Sequence, residues 1–482
     1  MLYIWLSPIL AFLILSVTRV VPVLVAALLA LILSAVVVVG VGPNTVAPVA
    51  YLQMFIAGTW IALPAVLVIL AGLYFTEVLA ASDSRPKNTI GAANDSARDI
   101  GTTCLFLGPF VETATGFGVG YVVAVSAVMR AGISPAGALG LAAFSQCLVP
   151  WGALGIGTKI SAALIAMPVE DLTWRVAIVI MPALWLMVFF YWRIAHAAGV
   201  QFSSSQRIED VTTVVALSVL LIYTSKVLPI ELAGMAAIAL VLVFRLWRSA
   251  GRQLFSNAAV RRALPYFVLI VLLAVTKMVP DIKVYLSTPA FTPGQGAPLF
   301  APFASPAIAL IAAAMLCGLV QGRSRRLTES IAPTIKKGMR ASVLTVLLVA
   351  LAWIMVRSGI AEAFAQAIRS GMDNLAVLVV PILGALGGYL TGSNTGAGSL
   401  SMPVAQSVSQ SPGVLAWIAA ASIMTGSVLT VLSPVRFAMG QAISGASDRE
   451  AARVFRSLLP FGMMIVGVAI LATLCAEIRF AV

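Results

Sequence analysis

Long apolar runs separated by short polar gaps make up most of the 482-residue chain. A helix needs about 20 predominantly apolar residues to cross a bilayer. Twelve runs read as spans: 2–18, 20–41, 55–81, 135–158, 172–192, 211–225, 229–244, 263–279, 304–321, 341–356, 413–433 and 457–478. Two more apolar stretches, 100–128 and 375–411, are interrupted midway by Gly, Ser, Thr and Asn. Unwound backbone survives at membrane depth only where protein shields it or a wet cavity receives it, so these two read as re-entrant hairpins. The expected fold is an all-α polytopic membrane protein, about 12 transmembrane helices plus two re-entrant hairpins. The first run lacks a positive flank and a small-residue cleavage site, and reads as a retained span.

Composition narrows the function. The chain is 61% hydrophobic and only 10% charged, against about 25% charged in soluble domains. A soluble enzyme, a nucleic-acid binder and a disordered chain are excluded. The net charge of +13 would suggest nucleic acid on a soluble protein. Here the basic residues fall in the gaps between spans. With the N-terminus outside, 22 of the 30 Lys and Arg fall in cytoplasmic loops, among them Arg19, Arg85, Lys87, Arg245 and Arg436. Positive charge resists translocation, so the expectation is a multi-pass cell-membrane protein with both termini extracytoplasmic. That bias holds only if both interrupted stretches return to the side they entered from. The four cysteines are scattered and His196 is the one histidine, so neither a metal centre nor a cofactor is expected. One histidine and one deep acid also leave little for catalysis, and an enzyme is not expected.

The two interrupted stretches occur in the same order, each followed by a span with a proline. Glu112 and Asn394 are 282 residues apart, and Pro150 and Pro434 are 284 apart. Near-constant offset with entry from opposite sides is the plan of inverted-topology repeats. The expected division is an N-terminal repeat over 1–244 with hairpin 100–128, a basic loop over 245–262, and a C-terminal repeat over 263–482 with hairpin 375–411. Chance spacing among 25 prolines is the plain alternative.

Hairpin tips bring helix ends to mid-membrane, where free N–H groups attract anions. The first tip spans Gly108–Gly120. Its Glu112 is the one acid near the middle of an apolar stretch, and such a charge costs at least about 2.5–3.5 kcal/mol on insertion scales. Two roles fit it: a proton carrier, or an acceptor that holds the hairpin together. Thr113 and Thr115 either donate to a carboxylate or bond back within a helix, and Gly116 and Gly118 permit close approach to a solute or to a neighbouring helix. The second tip offers Ser393, Asn394, Thr395, Gly396 and Ser399 as neutral partners or as helix caps. Gln146 lies in the span after the first tip; Thr430, Ser433 and Arg436 lie in or beside the span after the second. Arg436 either reaches up to the site or anchors the chain at the cytoplasmic face. These features suit a secondary transporter that lodges a small carboxylate between two tips and imports it with protons. Sodium coupling is the alternative, because Ser, Asn and Thr oxygens with unwound carbonyls also suit Na⁺. An ion channel is a remote third reading, because residues 115–121 supply one filter-like run where four are needed.

At these residues a family resemblance emerges. Glu112 with Thr115-Gly116-Phe117-Gly118 resembles the FxEGAAGFG signature of the bacterial lactate permease family. The run Trp151–Gly157 is similar to its FGAxGIP segment, Leu390–Thr395 to its LTGSDT segment, and Leu432-Ser433-Pro434 to its ISPQ segment. The four occur in the family's order over about two thirds of the chain. The resemblance implies uptake of lactate, glycolate and related 2-hydroxy monocarboxylates with protons. The Ser393-Asn394-Thr395 tip is also similar to a hairpin motif of sodium-coupled dicarboxylate carriers, which implies a homodimer with a moving transport domain. Three positions depart from the pattern: Asn394 stands where the family has an acid, Thr430 where it has a lysine, and Ser145-Gln146 where it has Asn-Thr. The lost lysine and lost acid either cancel electrostatically or change which anion is bound.

Overall fold

A computed structural model describes residues 2–18, 20–79, 96–251, 256–294, 297–409 and 411–480. Arg19, Arg85 and Lys87, three of the residues assigned to cytoplasmic loops, lie outside the described residues.

The described chain is built of helices in this order: α1 Leu2–Thr18, α2 Val23–Gly40, α3 Pro48–Leu79, α4 Ser96–Thr102, α5 Gly108–Thr115, α6 Val119–Arg130, α7 Pro135–Ala143 and α8 Gly152–Leu164. Then follow α9 Val169–Val179, α10 Met181–Ala197, α11 Ser204–Val227, α12 Ile230–Ala250, α13 Asn257–Met278, α14 Pro280–Ser287, α15 Pro306–Val320 and α16 Ser324–Glu329. The last are α17 Ile331–Arg357, α18 Ile360–Met372, α19 Val379–Thr391, α20 Asn394–Val408, α21 Pro412–Val428, α22 Pro434–Ser444 and α23 Asp448–Phe480. A π-helical turn, Thr103–Leu107, joins α4 to α5.

Eight helices are long and apolar enough to cross a membrane, and up to ten if the bent pairs α7/α8 and α9/α10 each count as one span. The two remaining runs expected as spans coincide with α1 and α15, apolar helices of 17 and 15 residues. Stretch 100–128 begins in α4 and the π-helical turn and contains the pair α5 and α6, packed against each other across a three-residue turn; stretch 375–411 contains the pair α19 and α20. Both are therefore hairpins, and neither is a continuous rod.

Helices in lipid gain little from the hydrophobic effect against one another, so close packing of small residues holds them together. The helices α3 and α17 make the most extensive helix contact. A Cβ at Gly58 would come 2.6 Å from Ala350 Cα, so α3 and α17 touch backbone to backbone there. In the second hairpin, a Cβ at Gly388 of α19 would overlap the Gly426 carbonyl of α21.

Charges inside the bundle are paired. Arg245 of α12, 1% exposed, sits 2.8 Å from Asp210 and 3.5 Å from Glu209 of α11. Arg98 of α4 meets Glu209 at 3.3 Å, and Trp192 Nε1 donates to Asp210 at 2.9 Å. Arg245, expected in a cytoplasmic loop, lies instead within α12, buried among carboxylates. The network ties the stem of the first hairpin to α10, α11 and α12. Overpacking a tight contact costs about 1–3 kcal/mol, so Gly388→Ala is expected to lower the thermal unfolding midpoint in detergent. Gly467→Ala on α23, where a Cβ meets nothing within 4 Å, should not lower it.

Candidate functional site between two hairpin tips

The first tip turns on three residues with left-handed backbone: Gly116 (φ 72°), Phe117 (φ 55°) and Gly118 (φ 84°). The turn leaves the first N–H groups of α6 without helical partners. Glu112, on the opposite arm, supplies them. Its Oε1 accepts from the Gly118 N–H at 3.0 Å and its Oε2 from the Gly120 N–H at 3.0 Å. The carboxylate is 1% exposed, and it closes the hairpin by capping one arm from the other. Thr113 and Thr115 donate to the Phe110 and Val111 carbonyls, each at 2.7 Å. Their hydroxyls are thus used within α5, the second of the two roles expected for them.

The second tip turns at Gly392, in left-handed backbone (φ 65°), and Ser393 caps α20 by accepting from the Thr395 N–H at 3.2 Å. Gly396 is packed against Thr391 of the same hairpin. Ser399 lies elsewhere: it lines a small apolar space with Ile9, Phe12, Leu351 and Met355, behind the hairpin.

Each hairpin is followed by a span that breaks. After α7, short 3₁₀ turns at Phe144–Gln146 and Val149–Trp151 lead to Ala153, Leu154 and Gly155, three consecutive left-handed residues. After α21, a 3₁₀ turn at Leu429–Leu432 leads to Ser433, which caps α22 by accepting from the Val435 N–H at 3.3 Å. Thr430 donates to the Ser427 carbonyl, and Gln146 donates to Ser145; neither is among the residues lining the cleft described next.

The four segments meet. Gly116 abuts Ala153 so closely that a Cβ would approach the Ala153 Cα at 3.0 Å. Thr158 of α8 donates to the Pro150 carbonyl at 2.7 Å and accepts from Asn394 Nδ2 at 3.2 Å, joining the first broken span to the second tip. Arg436, in the first turn of α22, spans both tips. Its Nε donates to the Gly392 carbonyl at 3.1 Å, and its Nη2 lies 3.5 Å from Glu112 Oε1. Gly118 lies against the guanidinium, leaving no room for a side chain. Arg436 is 4% exposed, so of the two roles expected for it the geometry fits the reach into the site and not the exposed cytoplasmic anchor.

A narrow cleft opens at this junction. Of the residues expected there, Glu112, Gly116, Ser393, Asn394, Thr395 and Arg436 line it. Phe117, Ile156 and Gly157, which lie outside the expected site residues, line it too. The left-handed run at 153–155 turns the start of α8 into the cleft, a bend for which Ala153 and Leu154 give no sequence signal. Asn394 Oδ1 is buried without a hydrogen-bond partner. Residues at the starts of α8, α20 and α22 thus share one cleft with a guanidinium, a setting that favours an anion. Among the described residues no group of three or more metal-binding side chains occurs.

Hydrogen bonds between membrane helices average about 0.6 kcal/mol in double-mutant cycles. A cycle of Thr158→Val and Asn394→Ala, read by reversible unfolding in detergent micelles, is expected to return a coupling of that size. A coupling of zero would mean that the contact does not join the two halves.

Residues 298–479 match the sequence model of the L-lactate permease family. The chain is similar to an L-lactate permease of Streptococcus iniae, 23% identical over 344 residues that cover 65% of this chain and 70% of that protein. Among solved structures it is similar to the Alcanivorax borkumensis YdaH transporter, at 15% identity and a TM-score of 0.45, over 95% of this chain and 98% of that one. The family model and the curated relative thus point to the same family, that of the L-lactate permeases, to which this chain is similar.

Proposed function

We propose that the chain is a secondary active transporter, not an enzyme, that imports lactate, glycolate or a similar 2-hydroxy monocarboxylate with protons. The observation that carries this reading is the buried Arg436 lying across both hairpin tips, beside a cleft that also holds the unpartnered Asn394 oxygen. A carboxylate fits a guanidinium through paired N–H groups, and a 2-hydroxyl fits an amide oxygen. The substrate residues proposed are Arg436, Ser393, Asn394, Thr395 and the backbone at Gly116 and Gly157. Glu112 is the proposed proton carrier.

The repeat plan supports alternating access. Helices α2 and α15 start at residues 23 and 306, and α3 and α17 at 48 and 331, an offset of 283 in both cases. A hairpin and then a broken span follow α3 and α17 alike. Taking α7/α8 and α9/α10 as one crossing each, seven crossings precede α13. An odd number inverts the second set relative to the first, as alternating access by inverted repeats requires. In this reading α11 and α12 stand between the repeats, both termini are extracytoplasmic, and the two halves rock or slide about the cleft. A homodimer is proposed from the hairpin resemblance alone.

The test is uptake of labelled lactate and glycolate into proteoliposomes, with pH and sodium varied independently. Accumulation is expected to follow an inward proton gradient without sodium, and Glu112→Gln is expected to abolish it. Uptake that needs sodium at fixed pH and ignores the proton gradient would favour the sodium-coupled alternative. Truncating one partner of a buried charge pair costs at least about 2 kcal/mol, roughly 30-fold, so Arg436→Ala should raise the half-saturating lactate concentration by that factor or more.

A further inference from the structure

We propose that Glu112 and the substrate carboxylate compete for Arg436, and that this competition makes proton and substrate load together. The inference rests on the transport reading above and adds how one site couples two cargoes.

The geometry is that of a pair that can be separated. Glu112 is held by the backbone: both oxygens accept N–H bonds at 3.0 Å from its own hairpin. Its contact with Arg436 is long, 3.5 Å, at the limit of a useful hydrogen bond. Arg436 donates through Nε to the Gly392 carbonyl, which leaves its two Nη groups to serve Glu112 and the cleft. Both groups line that cleft.

An arriving carboxylate takes the Nη groups of Arg436. Glu112 would then be a buried anion without a cation, a costly state in so dry a place. A proton bonds to Glu112 Oε1 and replaces the charge that Arg436 withdrew. The balance is even: the empty site holds one negative and one positive group. The loaded site holds a neutral acid, a guanidinium and a carboxylate, so its net charge is unchanged. On release the carboxylate leaves, Glu112 gives up its proton, and the pair closes again. Linkage makes the effect reciprocal, so a bound proton raises affinity for the anion as much as the anion raises affinity for the proton.

Other ionisable groups do not substitute for this pair. On the elements packed against the hairpin they are Tyr121 and Arg130 on α6, Cys104 in the π-helical turn, Lys159 on α8, Glu231, Arg245 and Arg248 on α12, Tyr51, Tyr74 and Glu77 on α3, and Arg261, Arg262, Tyr266 and Lys277 on α13; of these Arg130, Arg248, Arg261 and Arg262 are exposed. Lys159 and Lys277 are both paired with Glu231, Arg245 with Glu209 and Asp210, and Glu77 with Lys337. Tyr121 lies beside Arg436, with its hydroxyl toward the Leu139 carbonyl.

The experiment is lactate binding to the purified full chain in weakly buffered detergent, with a pH-indicator dye. The wild type is expected to take up about one proton per lactate bound, and its affinity to fall about tenfold per pH unit as pH rises through the coupled range. Glu112→Gln, already neutral, is expected to bind lactate with no proton uptake and no pH dependence, at an affinity no weaker than the wild type at low pH. Proton-free binding by the wild type, or an unchanged pH dependence in Glu112→Gln, would overturn the proposal while leaving carboxylate transport intact. The dye measurement on the wild type decides even if the variant does not fold. Failure of the wild type to bind any monocarboxylate of a panel, at any pH, would overturn the transport reading and this one with it.

Discussion

One buried guanidinium holds the centre of this protein together. Arg436 reaches the carbonyl end of one hairpin and the carboxylate of the other, so the two tips meet through a single side chain. Such a charge is stable inside a membrane protein only when it is paired and further bonded. Glu112 meets that condition from one side and Gly392 from the other. Glu112 in turn accepts from the Gly118 and Gly120 N–H groups at the start of α6, so the ion pair and the turn share one carboxylate.

The backbone follows from the same constraint. Every N–H and carbonyl exposed by a break must find a partner in the absence of water. The breaks do so with nearby side chains: Ser393 and Ser433 each accept from the N–H two residues on, and Thr158 donates to the Pro150 carbonyl eight residues back. Close approach then depends on the absence of side chains. Gly116 fits against Ala153, Gly157 against Asn394 and Gly118 against the guanidinium. A methyl group at any of these would push the tips apart, so the small residues and the polar caps form one device.

Much of the architecture was legible in the sequence because it is written in chemistry that has few other uses. Gly, Ser, Thr and Asn in the middle of an apolar stretch mark a hairpin, and both hairpins are present where those residues cluster. What was not legible depends on direction. Loop-charge counting treats every arginine outside an apolar run as solvated, so it could not separate Arg245 and Arg436, both buried, from the true loop residues. The proline that ends a span at 434 hid the fact that the chain continues as a helix inside the protein. A threonine beside an acid looks like a ligand, whereas Thr113 and Thr115 bond their own helix. Ala153 and Leu154 are not turn-forming residue types, yet both are left-handed between Gly152 and Gly155, with Ala153 against Gly116.

The departures from the family pattern become coherent once charge is counted in space and not along the chain. In the lactate permease signature the resemblance sets a lysine at the position of Thr430 and an acid at that of Asn394. Here both are neutral, which removes one charge of each sign. Thr430 is turned onto its own helix at the Ser427 carbonyl, away from the cleft, whereas Asn394 remains in it and binds Thr158 across the junction. The cleft therefore relies on a cation six residues further on, in the first turn of α22, and on the acid of the first hairpin. A guanidinium at that point meets both tips at once. A lysine ammonium, with its single point of charge, could not hold the Gly392 carbonyl through one nitrogen and present two others to a carboxylate. In this chain the positive charge of the cleft sits at Arg436, where the two tips meet, and the Glu112 carboxylate faces it.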